Sequence, residues 1–227
     1  PEGYALRSWT ALQAEAGQVA FVGVDGLTVS ADTLSVEINR AAADGSLVDY
    51  AAQGLSIITG TGEEPSSLTL SMDASEGQLL RATGNLDLDL FGFLQTSGSF
   101  GIEKKTGEVT LADNLATDGV DESQSPVAVD QLLIGGSGLD AFAGINGGQA
   151  NAIGLRLTDT DLALALQSER LSEQQVTDGL SPRSWTTLEA SVGSADFLGV
   201  DGLEVGVDTL SVGINRLAAD GTAVDYS

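Results

Sequence analysis

The sequence predicts an all-β protein, built as an elongated, solenoid-like stack of short strands, with a string of tandem β-sandwiches as the alternative. Three observations predict this class. Glycine accounts for 29 of the 227 residues and is mixed with Asp, Asn, Ser and Thr, which is typical of many turns between strands. Apolar and polar residues alternate along much of the chain. Residues 7–50 recur without a gap as residues 183–226, with 29 of 44 positions identical.

The recurrence sets a period of 176 residues and indicates one full tandem repeat followed by the opening of the next. Four phenylalanines, each close to a glycine, mark a finer repeat of roughly 58 residues; they are Phe21, Phe91, Phe142 and Phe197. We therefore predict four segments: residues 1–50, the end of one unit group and the copy of 183–227; residues 51–125, a second β unit; residues 126–182, a third β unit; and residues 183–227, the start of the next repeat.

In the first copy, Arg7–Ala16 is a predicted strand that Gly17 ends, and Val19–Val24 is a second strand that ends at the turn pair Asp25-Gly26. Next, Leu27, Val29 and Ala31 alternate at odd positions, whereas Leu34, Val36 and Ile38 alternate at even ones. A slip of one residue turns the following side chains to the other face unless the chain bulges or bends. The sequence thus predicts a bulge or corner at Asp32-Thr33, and the same slip recurs near Asp208 and around Asp159-Thr160-Asp161.

The remaining elements are read from turn residues. Ile38–Tyr50 is a predicted hairpin with its turn at 43–46 and a returning strand at 47–50. Strands are predicted at 55–59, 68–72, 79–83 and 85–90. A second hairpin is predicted over 100–111, with Lys104–Gly107 as its turn, and Asp113–Pro126 reads as a loop. Leu171–Gly179 is the one predicted helix, and it is short.

The composition excludes several classes of function. A net charge of −24, from 33 acidic and 9 basic residues, argues against nucleic acid and anionic membranes as partners. With no Cys and no His, thiol catalysis, disulfides, zinc sites and His-based triads are excluded within these residues. The sequence contains no run of about 18 apolar residues, so no membrane-spanning helix is predicted. A signal peptide, if present, is expected outside this piece of the protein. We predict no enzymatic activity.

Six aspartates are candidate ligands of a hard cation such as Ca²⁺, since carboxylates on one strand face or at one corner can share it. Asp87 and Asp89 alternate with leucines on one strand, and the others lie at the parity slips: Asp32, Asp159, Asp161 and Asp208. The alternatives are a solvated strand face for the pair and Asx turns for the corners. Trp9 and Trp185 are candidates for stacking on sugars or, alternatively, for plugs between repeat units.

The phrases SWTALQA, FVGVDGLTV, ADTLSVEINRAAADG and GLDAFAGINGG resemble the tandem segments of very large repetitive bacterial surface or extracellular proteins of adhesin type. The chain lacks the G-G-x-G-x-D nonapeptides of calcium-binding haemolysin-type repeats. The resemblance implies a structural spacer repeat that holds a distal adhesive domain away from the cell. Its expected partners are neighbouring repeats of the same chain, with self-assembly possible. A calcium- or carbohydrate-binding β module is the alternative function.

Overall fold

The computed structural model describes residues 6–21, 23, 25–112, 126–200, 202–203 and 205–227. These residues form an all-β protein, as the sequence predicts. The strands are β1 (Thr10–Phe21), β2 (Leu27–Arg40), β3 (Leu55–Ile58), β4 (Ser67–Leu70), β5 (Leu79–Leu90), β6 (Leu94–Val109), β7 (Val127–Ile145), β8 (Ile153–Glu169), β9 (Ser184–Leu198) and β10 (Val205–Arg216). Helix α1 (Glu173–Thr177) and a single 3₁₀ turn (Ala74–Glu76) complete the described elements.

Eight strands form one antiparallel sheet in the order β1-β2-β5-β6-β7-β8-β9-β10, and β3 and β4 form a separate hairpin between β2 and β5. Neighbours in the large sheet therefore follow one another along the chain, as in a meander. The four predicted segments contribute β1–β2, β3–β6, β7–β8 and β9–β10 respectively. The strands of this sheet are longer than the short strands predicted, at 12 to 19 residues. The solenoid-like stack and the four-segment division stay predictions.

The strands are longer because glycine-containing segments that read as breaks lie inside them. Gly17 does not end β1, since Ala16 pairs with Leu34 and Gln18 with Asp32 on either side of it. The predicted hairpin turn at Lys104–Gly107 is wrong, because β6 continues through it and pairs with β7 as far as Val109. A glycine within a strand commonly marks a bulge or a close approach of a neighbouring chain rather than a turn.

The bulge predicted at Asp32-Thr33 is confirmed. The pairing of β2 with β5 shifts by one residue between Asp32 and Ser35, and Thr33 has a positive φ of 54°. Positive φ values recur at the two other parity slips, on Asp159 (53°) and Thr209 (61°). The bulge corrects the parity, because apolar residues before and after it then lie on the same face of the sheet.

The hairpin predicted over 38–50 is half correct. Its turn is present, with Gly45 N–H donating to the Ala42 carbonyl at 2.9 Å. The returning strand at 47–50 is wrong, since this segment is irregular and is held from the side by Asn39, whose Nδ2 donates to the Val48 carbonyl at 3.1 Å. The predicted short helix is confirmed as α1, which opens on a capping box between Ser172 and Gln175.

Two clusters of buried side chains lie at the end of the sheet where β2, β6 and β10 finish, while Leu139, Phe142 and Val192 are buried elsewhere along β7 and β9. One cluster comprises Val109, Leu111, Val129, Trp185, Ala218 and Val224, and a second comprises Tyr50, Leu70 and Met72. In the described part of the chain, no helix has the length and apolarity needed to cross a membrane. Val22 and Val24 of the predicted strand 19–24, residues 113–125 of the predicted loop, and Asp201 lie outside the described residues.

Candidate functional site

The sheet is amphipathic, and this property runs across every strand. One cross-strand row is apolar from edge to edge: Ala14, Val36, Ala82, Ile102, Ile134, Leu164, Leu188 and Ile214. We call the face that carries this row the apolar face; Leu27, Val29 and Ala31 lie on it opposite Leu90, Leu88 and Leu86. The opposite, polar face carries residues such as Gln13, Glu37, Arg81 and Glu103 in one row. Ile102 and Ile214 are nearly half exposed, so the apolar face is a broad accessible surface.

Asp87 and Asp89 lie on the polar face of β5, as their alternation with leucines predicts, beside an open groove of about 800 Å³ that Asp140 and Arg156 also line. The Asp89 carboxylate accepts hydrogen bonds from Gly92 N–H at 2.7 Å and from Gln95 Nε2 at 2.8 Å. This carboxylate therefore closes the turn between β5 and β6. The Asp140 carboxylate likewise accepts a hydrogen bond from Asp159 N–H at 3.3 Å.

The four corner aspartates lie on three strands. Asp32 is on β2, Asp159 and Asp161 are on β8, and Asp208 is on β10. Hydrogen bonds from the Ser137 side chain and the Gly138 N–H lower the pKa of Asp161, and the latter bond measures 3.0 Å. Within the described residues, no three acidic side chains approach closely enough to hold a metal ion. The calcium site stays a prediction, as do its alternatives, a solvated strand face for Asp87 and Asp89 and Asx turns for the corner aspartates. The hydrogen bond of Asp161 reaches Gly138 on β7 and is not the local bond of an Asx turn.

The two copies of the repeated segment share their internal contacts. Strands β1 and β2 pair in the same register as β9 and β10, from Thr10 opposite Arg40 and from Thr186 opposite Arg216. Trp9 Nε1 donates to the Ser46 carbonyl at 3.0 Å, and its copy Trp185 donates to the Thr222 carbonyl at 3.1 Å. Asn39 likewise donates to Val48, and its copy Asn215 donates to Val224. The two segments thus share their strand register and these side-chain hydrogen bonds.

The tryptophans of the two copies differ in burial, because residues earlier in the chain cover Trp185 more than Trp9. Trp185 is 1% exposed, because Val109, Leu111 and Val129 pack around it. Its copy Trp9 is 41% exposed. The covering residues come from β6, β7 and the segment after β6, all of which precede Trp185 in the chain. The difference in burial therefore arises from neighbouring strands and not from the repeated segment itself.

The copies differ in the opposite sense on the downstream side. Tyr50 is 8% exposed and packs with Leu70 and Met72, and its backbone N–H donates to the Met72 carbonyl at 3.0 Å. Its copy Tyr226 is 57% exposed. Leu70 and Met72 come after Tyr50 in the chain, at the end of the β3–β4 hairpin. Each copy thus has one side covered by chain from its own flank and one side open.

The arginine that precedes each tryptophan also has different partners in the two copies. Arg183 makes a two-pronged ion pair with Glu169, with Nε to Oε2 at 2.8 Å and Nη2 to Oε1 at 2.9 Å, and it lies 5.3 Å from the centre of the Trp185 ring. The hydrogen bonds from Arg183 lower the pKa of Glu169. The copy of Arg183 is Arg7, which pairs with the exposed Asp44 at 2.7 Å. Sequence reasoning missed Glu169, although the repeat already marked Arg183 as one of a matched pair.

Comparison of the chain with protein-family models, with curated proteins and with solved structures gave no match.

Proposed function

We propose that the chain is a structural repeat of a very large bacterial surface or extracellular protein. In this role successive copies lengthen the protein and hold a distal adhesive domain away from the cell. The observation that carries the proposal is the structural equivalence of β1–β2 and β9–β10 within one sheet. The bacterial and extracellular part rests on the resemblance of the repeated phrases to tandem segments of such proteins.

The spacing between copies supports a lengthening role. Six strand-to-strand steps separate β1 from its copy β9. Neighbouring strands lie about 4.8 Å apart, so one repeat advances the sheet by roughly 29 Å along the hydrogen-bonding direction. In a repeat protein, each unit contacts its neighbours and stability accumulates along the array. A meander of this kind can add copies without a long connection.

The two faces of the sheet support a coiled, solenoid-like arrangement. A sheet of many strands twists and coils. In the proposed arrangement, the apolar face lines the inside of the coil and the polar face meets water. The net charge of −24 then lies mainly on the outside, where repulsion between molecules keeps a long protein dispersed.

Small-angle X-ray scattering on proteins of one, two and four copies tests the proposal. We expect the maximum dimension to increase by a constant amount with each copy, at most about 29 Å. A radius of gyration that grows only as the cube root of the mass, as in a compact sphere, would contradict the spacer role.

A further inference from the structure

Strand β10 is an edge strand, and its copy β2 shows what such an edge binds. On the side away from β1, β2 pairs with β5 over eleven residue pairs, from Leu27 opposite Leu90 to Asn39 opposite Leu79. On the corresponding side, β10 pairs with no other strand in the described part of the chain, and all twelve of its residues are exposed. An edge of this length is a template for a further strand. The apolar residues that face β5 neighbours in β2 are retained in β10, with Val212 for Val36 and Ile214 for Ile38.

The backbone of β10 is already shaped for that strand. In β2, the positive φ of Thr33 belongs to the bulge against β5, where Gly84 makes room: a Cβ on Gly84 would lie 3.3 Å from the Asp32 carbonyl oxygen and from Leu34 Cα. Thr209 repeats the positive φ, at 61°, on the edge strand. A β-branched residue rarely adopts this conformation. Thr209 therefore keeps a bulge geometry whose counterpart in β2 is matched by β5.

Tyr226, which lies next to β10, also lacks the covering residues that its copy has. Its copy Tyr50 is covered by Leu70 and Met72, which follow it in the chain, whereas Tyr226 is exposed. The opposite edge of the sheet, at β1, shows the corresponding difference between the copies. Gly193 on β9 lies against β8, where an added Cβ would meet Asp159 Cβ at 3.1 Å, but its copy Gly17 on β1 has no described atom within 4 Å of that position.

We propose that the edge of β10, together with Tyr226, is a docking surface for a second copy of residues 52–90, supplied by a following repeat. The incoming β5 pairs with β10 in the register of β2, with Leu88 opposite Val205 and Leu80 opposite Ile214. The incoming Leu70 and Met72 cover Tyr226. Four of the eleven positions that pair with β5 differ between the copies: Glu204 stands for Thr28, Gly206 for Ser30, Val207 for Ala31 and Gly213 for Glu37. Because Glu37 is the β2 partner of Arg81, the incoming Arg81 keeps only the Glu76 and Glu103 partners that it has within its own copy.

The test extends the whole chain with a second copy of residues 52–227 after Ser227, which occupies the position of Ala51. Hydrogen–deuterium exchange is measured in the chain and in the extended protein. In the chain, half of the β10 amides point away from β9 and exchange fast. The extended protein holds two identical copies of β10, and only the first is followed by an added β5. We therefore expect its β10 peptides to split into two equal populations, one slowed by about tenfold or more towards the rate of β2 peptides and one that exchanges as in the chain. Equal exchange of β10 in the two proteins would overturn the proposal.

A matched control carries A82P and T83P in the added β5. Two adjacent prolines remove a ladder hydrogen bond whichever of the two amides faces β10. Protection of β10 should then be lost while β1–β2 and β9 exchange as before; protection that persists would refute pairing through β5. The inference rests on the proposed spacer role, yet the two fail separately. Extended scattering with an unprotected β10 removes the docking surface alone, and a compact particle with a protected β10 removes the spacer role alone.

Discussion

Trp9 and Trp185 are copies of one residue in two environments, so their removal measures what the neighbouring strands contribute. Both indole N–H groups donate to an equivalent carbonyl, but Trp9 is 41% exposed and Trp185 is 1% exposed. A tryptophan buries on the order of 200 Å². The extra two-fifths covered on Trp185 is then about 80 Å², which at about 25 cal/mol per Å² is worth roughly 2 kcal/mol.

We therefore expect W185A to lower the free energy of unfolding by about 2 kcal/mol more than W9A, with the total loss for W185A near 3–5 kcal/mol. Urea unfolding followed by far-UV circular dichroism measures both variants without relying on tryptophan fluorescence. Because the hydrogen bond is lost in both, it cancels from the difference. Equal losses would mean that Trp9 is covered in solution to the same extent as Trp185, and would refute the assignment of the difference to Val109, Leu111 and Val129.

Three further predictions use the same logic of matched positions and hydrogen bonds. G193A should destabilise by about 1 kcal/mol in urea, because its Cβ meets Asp159, whereas G17A should be neutral or slightly stabilising; equal effects would contradict the close approach. Since Arg183 lowers the pKa of Glu169 below its ordinary 4.5, the pair stabilises the fold above that pH and ceases to do so as the pH falls through the lowered value. E169Q should thus cost about 1–2 kcal/mol at pH 7 and progressively less as the pH falls below 4.5; a constant loss would exclude the ion pair. Because the carboxylates of Asp89 and Asp161 already accept hydrogen bonds from backbone N–H groups, Ca²⁺ or a chelator should leave Tm unchanged within about 1 °C, and a clear rise with Ca²⁺ would instead support the predicted calcium site.

The sequence was sufficient to predict the strand class and the bulge, because both are local. Alternation of apolar residues is a direct property of a strand with one covered face, and the slip between Ala31 and Leu34 has few structural solutions. The same reasoning failed at Gly17 and at Lys104–Gly107. At both places the glycine lies inside a long strand that continues to pair with its neighbour. The sequence of one strand does not show which strand lies beside it.

The candidate site was less predictable for the same physical reason. The six aspartates were chosen from their spacing along single strands, but a metal site needs ligands from several strands at once, and sheet order decides which strands meet. The residues that cover Trp185 come from more than 50 positions upstream and have no motif of their own. The repeat was the informative signal, because it identified pairs of positions whose local structure must be alike, so that any difference between them reports on long-range contacts.

The two copies leave opposite sides uncovered, and this determines how the stability of an array should change with the number of copies. Trp9 and Gly17 mark a surface that upstream strands cover in the second copy, and Tyr226 and Thr209 mark one that downstream strands cover in the first. A copy flanked on both sides would bury both surfaces, whereas each copy here buries one. If stability is a sum of unit and interface terms, every added repeat contributes one complete junction while the two incomplete ends stay constant. Stability per repeat should therefore increase with the number of copies toward a plateau, and the first added copy should give the largest proportional gain.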